Sequence, residues 1–103
     1  MGQVVRDADG QPVAPGHLAG QAAQALRNAA IALAAAGATF SDVVRLTVYV
    51  VDWKPEKMVD LIVGIGAVAE ELRFVLAPAS LIEVVSLFEP DVLVEIEATA
   101  IGD

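Results

Sequence analysis

Val92-Leu93-Val94-Glu95-Ile96-Glu97-Ala98-Thr99-Ala100 alternates strictly, with Val92, Val94, Ile96, Ala98 and Ala100 in one series and Leu93, Glu95, Glu97 and Thr99 in the other. A period of two is that of a half-buried β-strand. The first series asks for a core. The second sets two carboxylates about 7 Å apart on one side of a sheet, a face that solvent or a partner subunit must cover.

Working back from this strand, Glu89-Pro90-Asp91 separates it from an extended segment, Ala79 to Val85. So short a link predicts that the two strands, 79–85 and 92–101, pair as an antiparallel hairpin. Before them, Pro55 suits the first turn of a helix running to Arg73, with Glu56 near its positive end. Leu61, Ile65, Val68 and Leu72 form its buried stripe, widened by Met58 and Ile62. Val59 and Val63 fall off that stripe, where a solitary soluble chain would carry charge, so they are expected at an interface with another protein.

A strand over Val43 to Val51 precedes this helix, with Val44, Leu46, Val48 and Val50 on one face and Arg45, Thr47 and Tyr49 on the other. An alanine-rich helix, Leu18 to Ala36, comes earlier; Leu18, Ala22, Ala25, Leu26, Ala29, Leu33 and Ala36 line one side. Gly37 is placed to end it in the left-handed conformation. Residues 2–5 and the region around Val13 read as short extended pieces joined by a turn at Asp7-Ala8-Asp9-Gly10. The order β-α-β-α-β-β, with both helices on one face of a mixed sheet, is an α+β domain over residues 1–103. Nothing in the chain supplies a third layer, so another subunit is expected on the open face.

Composition agrees with self-association. The chain has 103 residues, 56% of them apolar, more than so small a domain hides alone. It lacks a run long enough for a membrane span and a visible secretory signal. With no cysteine there is no disulfide framework, which is compatible with the cytoplasm. Net charge is −8, and the six basic residues are scattered. A polynucleotide needs a positive stripe, so nucleic acid is not an expected partner. No metal-ligand set or cofactor motif is visible.

Several motifs then resemble the Rid family, the YjgF-like reactive-intermediate deaminases. They are Gly2-Gln3, the Asp9-Gly10 turn, Gln21, Gln24 and Asn28, Ala36-Gly37, the run from Asp42 to Val50, Pro78-Ala79, and Val94 to Ala100. The resemblance implies a chorismate-mutase-like fold and a homotrimer with ligand clefts between subunits. In such proteins an arginine after Pro-Ala grips the carboxylate of an enamine or imine. A backbone N–H by the glycine and a glutamate on the last strand position ligand and water, and hydrolysis releases ammonia.

Carried onto this chain, the glycine is Gly2, the glutamate is Glu97, and the arginine position holds Ser80. A hydroxyl offers neither the charge nor the two-pronged geometry of a guanidinium. Beside Glu95 and Glu97 an anionic ligand is disfavoured, leaving a neutral or cationic small molecule. Family chains also carry further strands before the Gly-Gln pair, and the chain is read as a shortened member.

Weighed residue by residue, Glu97 is the candidate catalytic carboxylate, with Gly2, Ser80 and Glu95 as candidate ligand contacts. The plainer role for Glu95 and Glu97 is a polar inner face met by a neighbouring subunit. Ser80 is a nucleophile only with a base in reach. Arg27 and Arg45 are the residues that could replace the missing cation, although such arginines more often form surface ion pairs. His17 is a solvated helix-start residue. Gly64-Ile65-Gly66 lies within a helical pattern rather than a phosphate loop. Three readings follow: a Rid-like homotrimer whose enamine/imine deaminase activity is in question; a non-catalytic assembly component that uses its second helix as a protein interface; and the ribonuclease activity linked to some members of the family it resembles, which the charge of −8 and the scattered basic residues oppose.

Overall fold

The computed structural model describes residues 2–3, 17–89 and 91–101. In chain order the elements are β1 (Gly2–Gln3), α1 (Leu18–Ala35), a 3-10 turn (Phe40–Asp42), β2 (Val43–Val51), α2 (Lys57–Leu72), β3 (Ala79–Val84) and β4 (Val94–Ala100). The expected extended piece near Val13 and the turn at 7–10 lie outside the described residues.

Helix α1 buries the stripe its spacing predicts, from Leu18 through Ala22, Ala25, Leu26 and Ala29 to Leu33. Ala36, expected to extend that stripe, is exposed and caps the helix instead. Gly37 follows at φ +78°, the left-handed geometry that turns the chain at a helix end. Thr39 and Asp42 then bond reciprocally, with the Thr39 N–H donating to Asp42 Oδ2 at 2.8 Å, and hold the turn into β2.

Helix α2 begins two residues after Pro55. Lys57 Nζ donates to the carbonyls of Val51 at 3.2 Å and Asp52 at 2.6 Å, tying the helix start to the end of β2. Leu61, Gly64 and Val68 are buried, and Ile65 and Leu72 are half-buried. Met58 and Ile62 do not widen this stripe as expected. Both point outward with Val59 and Val63, which are 63% and 57% exposed. The reason is a close crossing: a Cβ on Gly64 would stand 2.3 Å from the carbonyl oxygen of Ala19. The helices meet backbone to backbone at Gly64 and Ala19, which turns the Leu61–Gly64–Val68 side of α2 inward and leaves Met58 and Ile62 outside.

The sheet order is β1-β4-β2-β3, with β2 and β3 parallel and β4 antiparallel to both β1 and β2. The expected β3–β4 hairpin is therefore wrong. The β2-α2-β3 crossover lays β3 parallel against one side of β2, leaving the other side for β4. A buried clamp directs β4 there. Gln21 of α1, 1% exposed, donates through Nε2 to the Asp91 carbonyl at 3.0 Å and accepts the Leu93 N–H through Oε1 at 2.8 Å. The chain thus enters β4 beneath α1, where Val92, Val94 and Ile96 are buried.

One face of β2 also differs at its start. Val43 pairs with Ala100 and Arg45 with Thr99, so Val44 is an extra residue in the ladder. A bulge of this kind reverses the local alternation: Val43 goes into the core and Val44, expected inside, is 44% exposed. Beyond it, Leu46, Val48 and Val50 pair with Ala98, Ile96 and Val94 under the helices. Arg45, Thr47 and Tyr49 share the opposite face with Thr99, Glu97 and Glu95, and no described helix covers it.

Candidate functional site

Strand register assembles the site. Gly2 is opposite Glu97, Glu97 is opposite Thr47, and Thr47 is opposite Ser80. These four residues form one lateral row across all four strands. Three residues proposed from distant segments, Gly2, Glu97 and Ser80, thus fall on a single line, with Thr47 between the last two. Glu97 and Ser80 lie on strands two spacings apart, about 10 Å.

Thr47 was not among the expected site residues. It is buried and lies in the ladder between the Glu97 and Ser80 positions. The alternation along β2 did place it with Arg45 and Tyr49. Its place between Glu97 and Ser80 depends on β3 lying parallel to β2, which the hairpin expectation concealed.

Arg45 is one residue pair along β2 from this row, and its guanidinium leans across to β3, where Nη2 donates to Ser80 Oγ. A cation therefore stands beside Ser80. Ser80 accepts a hydrogen bond from a cation there; that is the reverse of what a nucleophile needs, since no base withdraws its proton. Arg27, the other arginine considered, sits on the helix surface and meets Glu71 at 3.6 Å with both side chains largely exposed. Such a pair contributes little and lies on the far side of the molecule from the helix-free face.

Glu95 pairs with Tyr49, which in turn is opposite Ile82 on β3. It is half-buried, like Glu97, and one step further along the same face. His17 is exposed at the start of α1. Among the described residues no three His, Cys, Asp or Glu side chains converge as a metal-ligand group. A concavity of about 390 Å³ lies elsewhere, at the far ends of β2 and β3, lined by Asp52, Glu83, Val84 and Val85. It shares no residue with the row. Val85, which lines it, and Phe88 are 98% and 95% exposed.

A family model described as Endoribonuclease L-PSP matches residues 1–102. Among solved structures, YyfB of Yersinia pestis, a Rid-family protein of unknown function, is 42% identical with a TM-score of 0.83, covering 96% of this chain and 73% of its own. TdcF of E. coli, solved with bound serine, is 25% identical with a TM-score of 0.83, the match covering 100% of this chain and 78% of TdcF. The YjgF gene product of E. coli is 30% identical with a TM-score of 0.81, over 98% of this chain and 76% of its own. No curated protein matches.

Proposed function

The chain belongs to the Rid (YjgF-like) family, and from that premise we propose that it is a homotrimer binding a small molecule in clefts between its subunits. The observation that carries this reading is the lateral row Gly2–Glu97–Thr47–Ser80 on a face that no described helix covers. A neighbouring copy closes that face and makes a cleft of it. The bare apolar side chains of Val85 and Phe88 next to the β3 edge support the same requirement. Serine bound to TdcF indicates the size of ligand to expect: an amino acid or a product derived from one.

Within such a cleft Glu97 is the residue suited to chemistry. Its carboxylate takes a proton from water as the water oxygen adds to the carbon of a C=N bond. Glu97 then passes that proton to the nitrogen, the new hydroxyl yields its own proton to the nitrogen as the C–N bond breaks, and ammonia leaves with the carbonyl product behind. Ser80 itself provides no charge to anchor an acidic imine, so the usual deaminase rate is expected to be low. The six scattered basic residues and net charge of −8 oppose the ribonuclease activity that the family model's description names.

The test combines mass and turnover. Light scattering should give a trimer, and ammonia release from a small imine generated in solution should fall to the uncatalysed rate in Glu97→Ala. Ser80→Arg should raise turnover of acidic imines. A chain that stays monomeric at working concentration, or turnover indifferent to Glu97→Ala, overturns the reading.

A second reading rests on α2. Val59, Ile62 and Val63 are each more than half exposed on its outer side, which suits a protein interface of an assembly component without catalysis. Particles larger than a trimer that disperse in Val59→Lys plus Val63→Lys would favour it.

A further inference from the structure

We infer that the outer face of α2 pairs with the same face of a second copy of this chain, the two helices running antiparallel about a two-fold axis at the height of Gly64 and Ile65. This rests on the second reading above, that α2 is a protein interface, and deepens it by naming the occupant.

From the N-cap of α2 to its C-cap, Glu56, Val59, Val63, Gly66, Glu70 and Arg73 recur at spacings of three, four, three, four and three. That alternation draws one line along a helix, and all six residues are exposed. The line lies opposite the buried side that holds Leu61, Gly64 and Val68. It is the pattern of a helix lying lengthwise on another at a shallow crossing angle.

The series reads alike from either end. Turned about its midpoint, it sets Glu56 level with Arg73 of the second copy, Val59 level with Glu70, and Val63 level with Gly66. Ile62 and Ala67 flank the line at mirrored heights. Large side chains therefore meet small ones: Ile62 and Val63, 62% and 57% exposed, come against Gly66 and Ala67. Opposite charges meet at both ends. Among the described residues neither Glu56 nor Arg73 has an ion-pair partner in its own chain. A foreign protein has no need of such a match, whereas a two-fold contact is one patch meeting itself.

Gly66 points the same way. A glycine in a helix interior is less stable than alanine, and nothing stands within 4 Å of a Cβ built there, so packing within one chain does not call for it. The close approach of a second helix does. The contact is small, since the 16 residues of α2 make about 24 Å of helix. One helix face of that length falls well short of the ~800 Å² per partner of a standard interface. The pairing is therefore weak alone, with a dissociation constant on the order of 0.1–1 mM, and gains by avidity where one assembly carries several copies of the face.

The experiment is sedimentation velocity of the full chain from about 10 μM to 1 mM. Mass is expected to rise with concentration above that of the basic unit. Gly66→Leu, which fills the hollow without touching its own chain at the new Cβ, should abolish the rise. Glu56→Arg and Arg73→Glu each set like charges together at both ends and should weaken association about 2- to 30-fold. The two changes combined restore opposite charges and should recover the affinity of the parent, a rescue that antiparallel self-pairing requires. Circular dichroism melts of each variant separate a lost contact from a lost fold.

Association that survives Gly66→Leu and ignores both charge changes overturns the inference. If Val59→Lys plus Val63→Lys still disperses the particles in that case, α2 remains an interface, but not in this pairing. A mass that stays constant over the whole range also overturns it; a second protein that then binds the unaltered α2 face would show the interface reading standing with a different occupant.

Discussion

Gly64→Ala and Gly66→Ala are the same substitution two residues apart on α2, and they are expected to move stability in opposite directions. Alanine is favoured over glycine in a helix interior by about 0.8–1.0 kcal/mol, and this gain applies at both positions. At Gly66 a new Cβ meets nothing within 4 Å, so the gain stands. At Gly64 it would lie 2.3 Å from the Ala19 oxygen, 3.0 Å from its carbonyl carbon and 3.1 Å from its Cα. These are main-chain atoms and have no rotamer to escape into. The helices must separate by about 1 Å to reach ordinary contact distance, and the packing of Leu61 and Val68 loosens with them. Overpacking of this kind costs about 1–3 kcal/mol, and a backbone obstacle belongs at the upper end. The net expectation is a loss of about 2 kcal/mol for Gly64→Ala and a gain of up to about 1 kcal/mol for Gly66→Ala. For a chain of this size each kcal/mol is worth about 4–8 °C in Tm. Urea and thermal melts should be run at one protein concentration, because self-association contributes to apparent stability. If Gly64→Ala is as stable as the parent, the close crossing of α1 and α2 is refuted, and with it the account of why Met58 and Ile62 face outward.

Gln21→Leu is expected to cost about 1–3 kcal/mol, since the partly buried Leu93 N–H loses its acceptor and the hold on the Asp91 carbonyl goes with it; hydrogen exchange at Val94 to Ile96 should accelerate, and unchanged protection there would contradict the clamp. Val59→Lys plus Val63→Lys should change stability by no more than about 0.5 kcal/mol, because both side chains already face solvent. Collapse of the fold or of a trimer in that double variant would mean α2 is buried within the basic assembly.

The elements were legible in the sequence because each carries its own period. Strand β2 was expected and found over the same residues, and the helices and remaining strands differ by a few residues at their ends. What local patterning lacked was the neighbour of each strand. The link from Val85 to Val92 is short enough for a hairpin, yet β4 lies on the far side of β2. The deciding contacts are a crossover and a glutamine 70 residues from its carbonyl partner, neither of which leaves a periodic trace. The bulge at Val44 was invisible for the same reason: it exists only relative to β4. The site divides likewise. Gly2, Glu97 and Ser80 could be picked out singly, whereas their alignment through Thr47 is a property of register. Arg45 could be assigned to the polar face of β2, but its reach to Ser80 required knowing that β3 is the adjacent strand.

The distribution of exposed apolar and charged groups separates the two surfaces this chain leaves uncovered. Every copy brings a formal charge of −8, so association cannot draw on long-range attraction between copies and must overcome a repulsion that salt screens. Apolar contact therefore has to supply the driving force. One apolar surface, at Val85 and Phe88, adjoins the sheet edge on which Ser80 lies; the other, at Val59, Ile62 and Val63, belongs to the helical layer on the opposite side of the sheet. A neighbour that covers the first and also reaches the face holding Arg45, Thr47 and Glu97 would exclude water from the polar groups there. Excluding water strengthens those polar interactions, so assembly and ligand binding should reinforce one another there. A partner on α2 has no such access to the row. By screening the repulsion between copies of charge −8, salt should thus promote association through either apolar surface, and a chain whose association weakens as salt rises would contradict the apolar driving force.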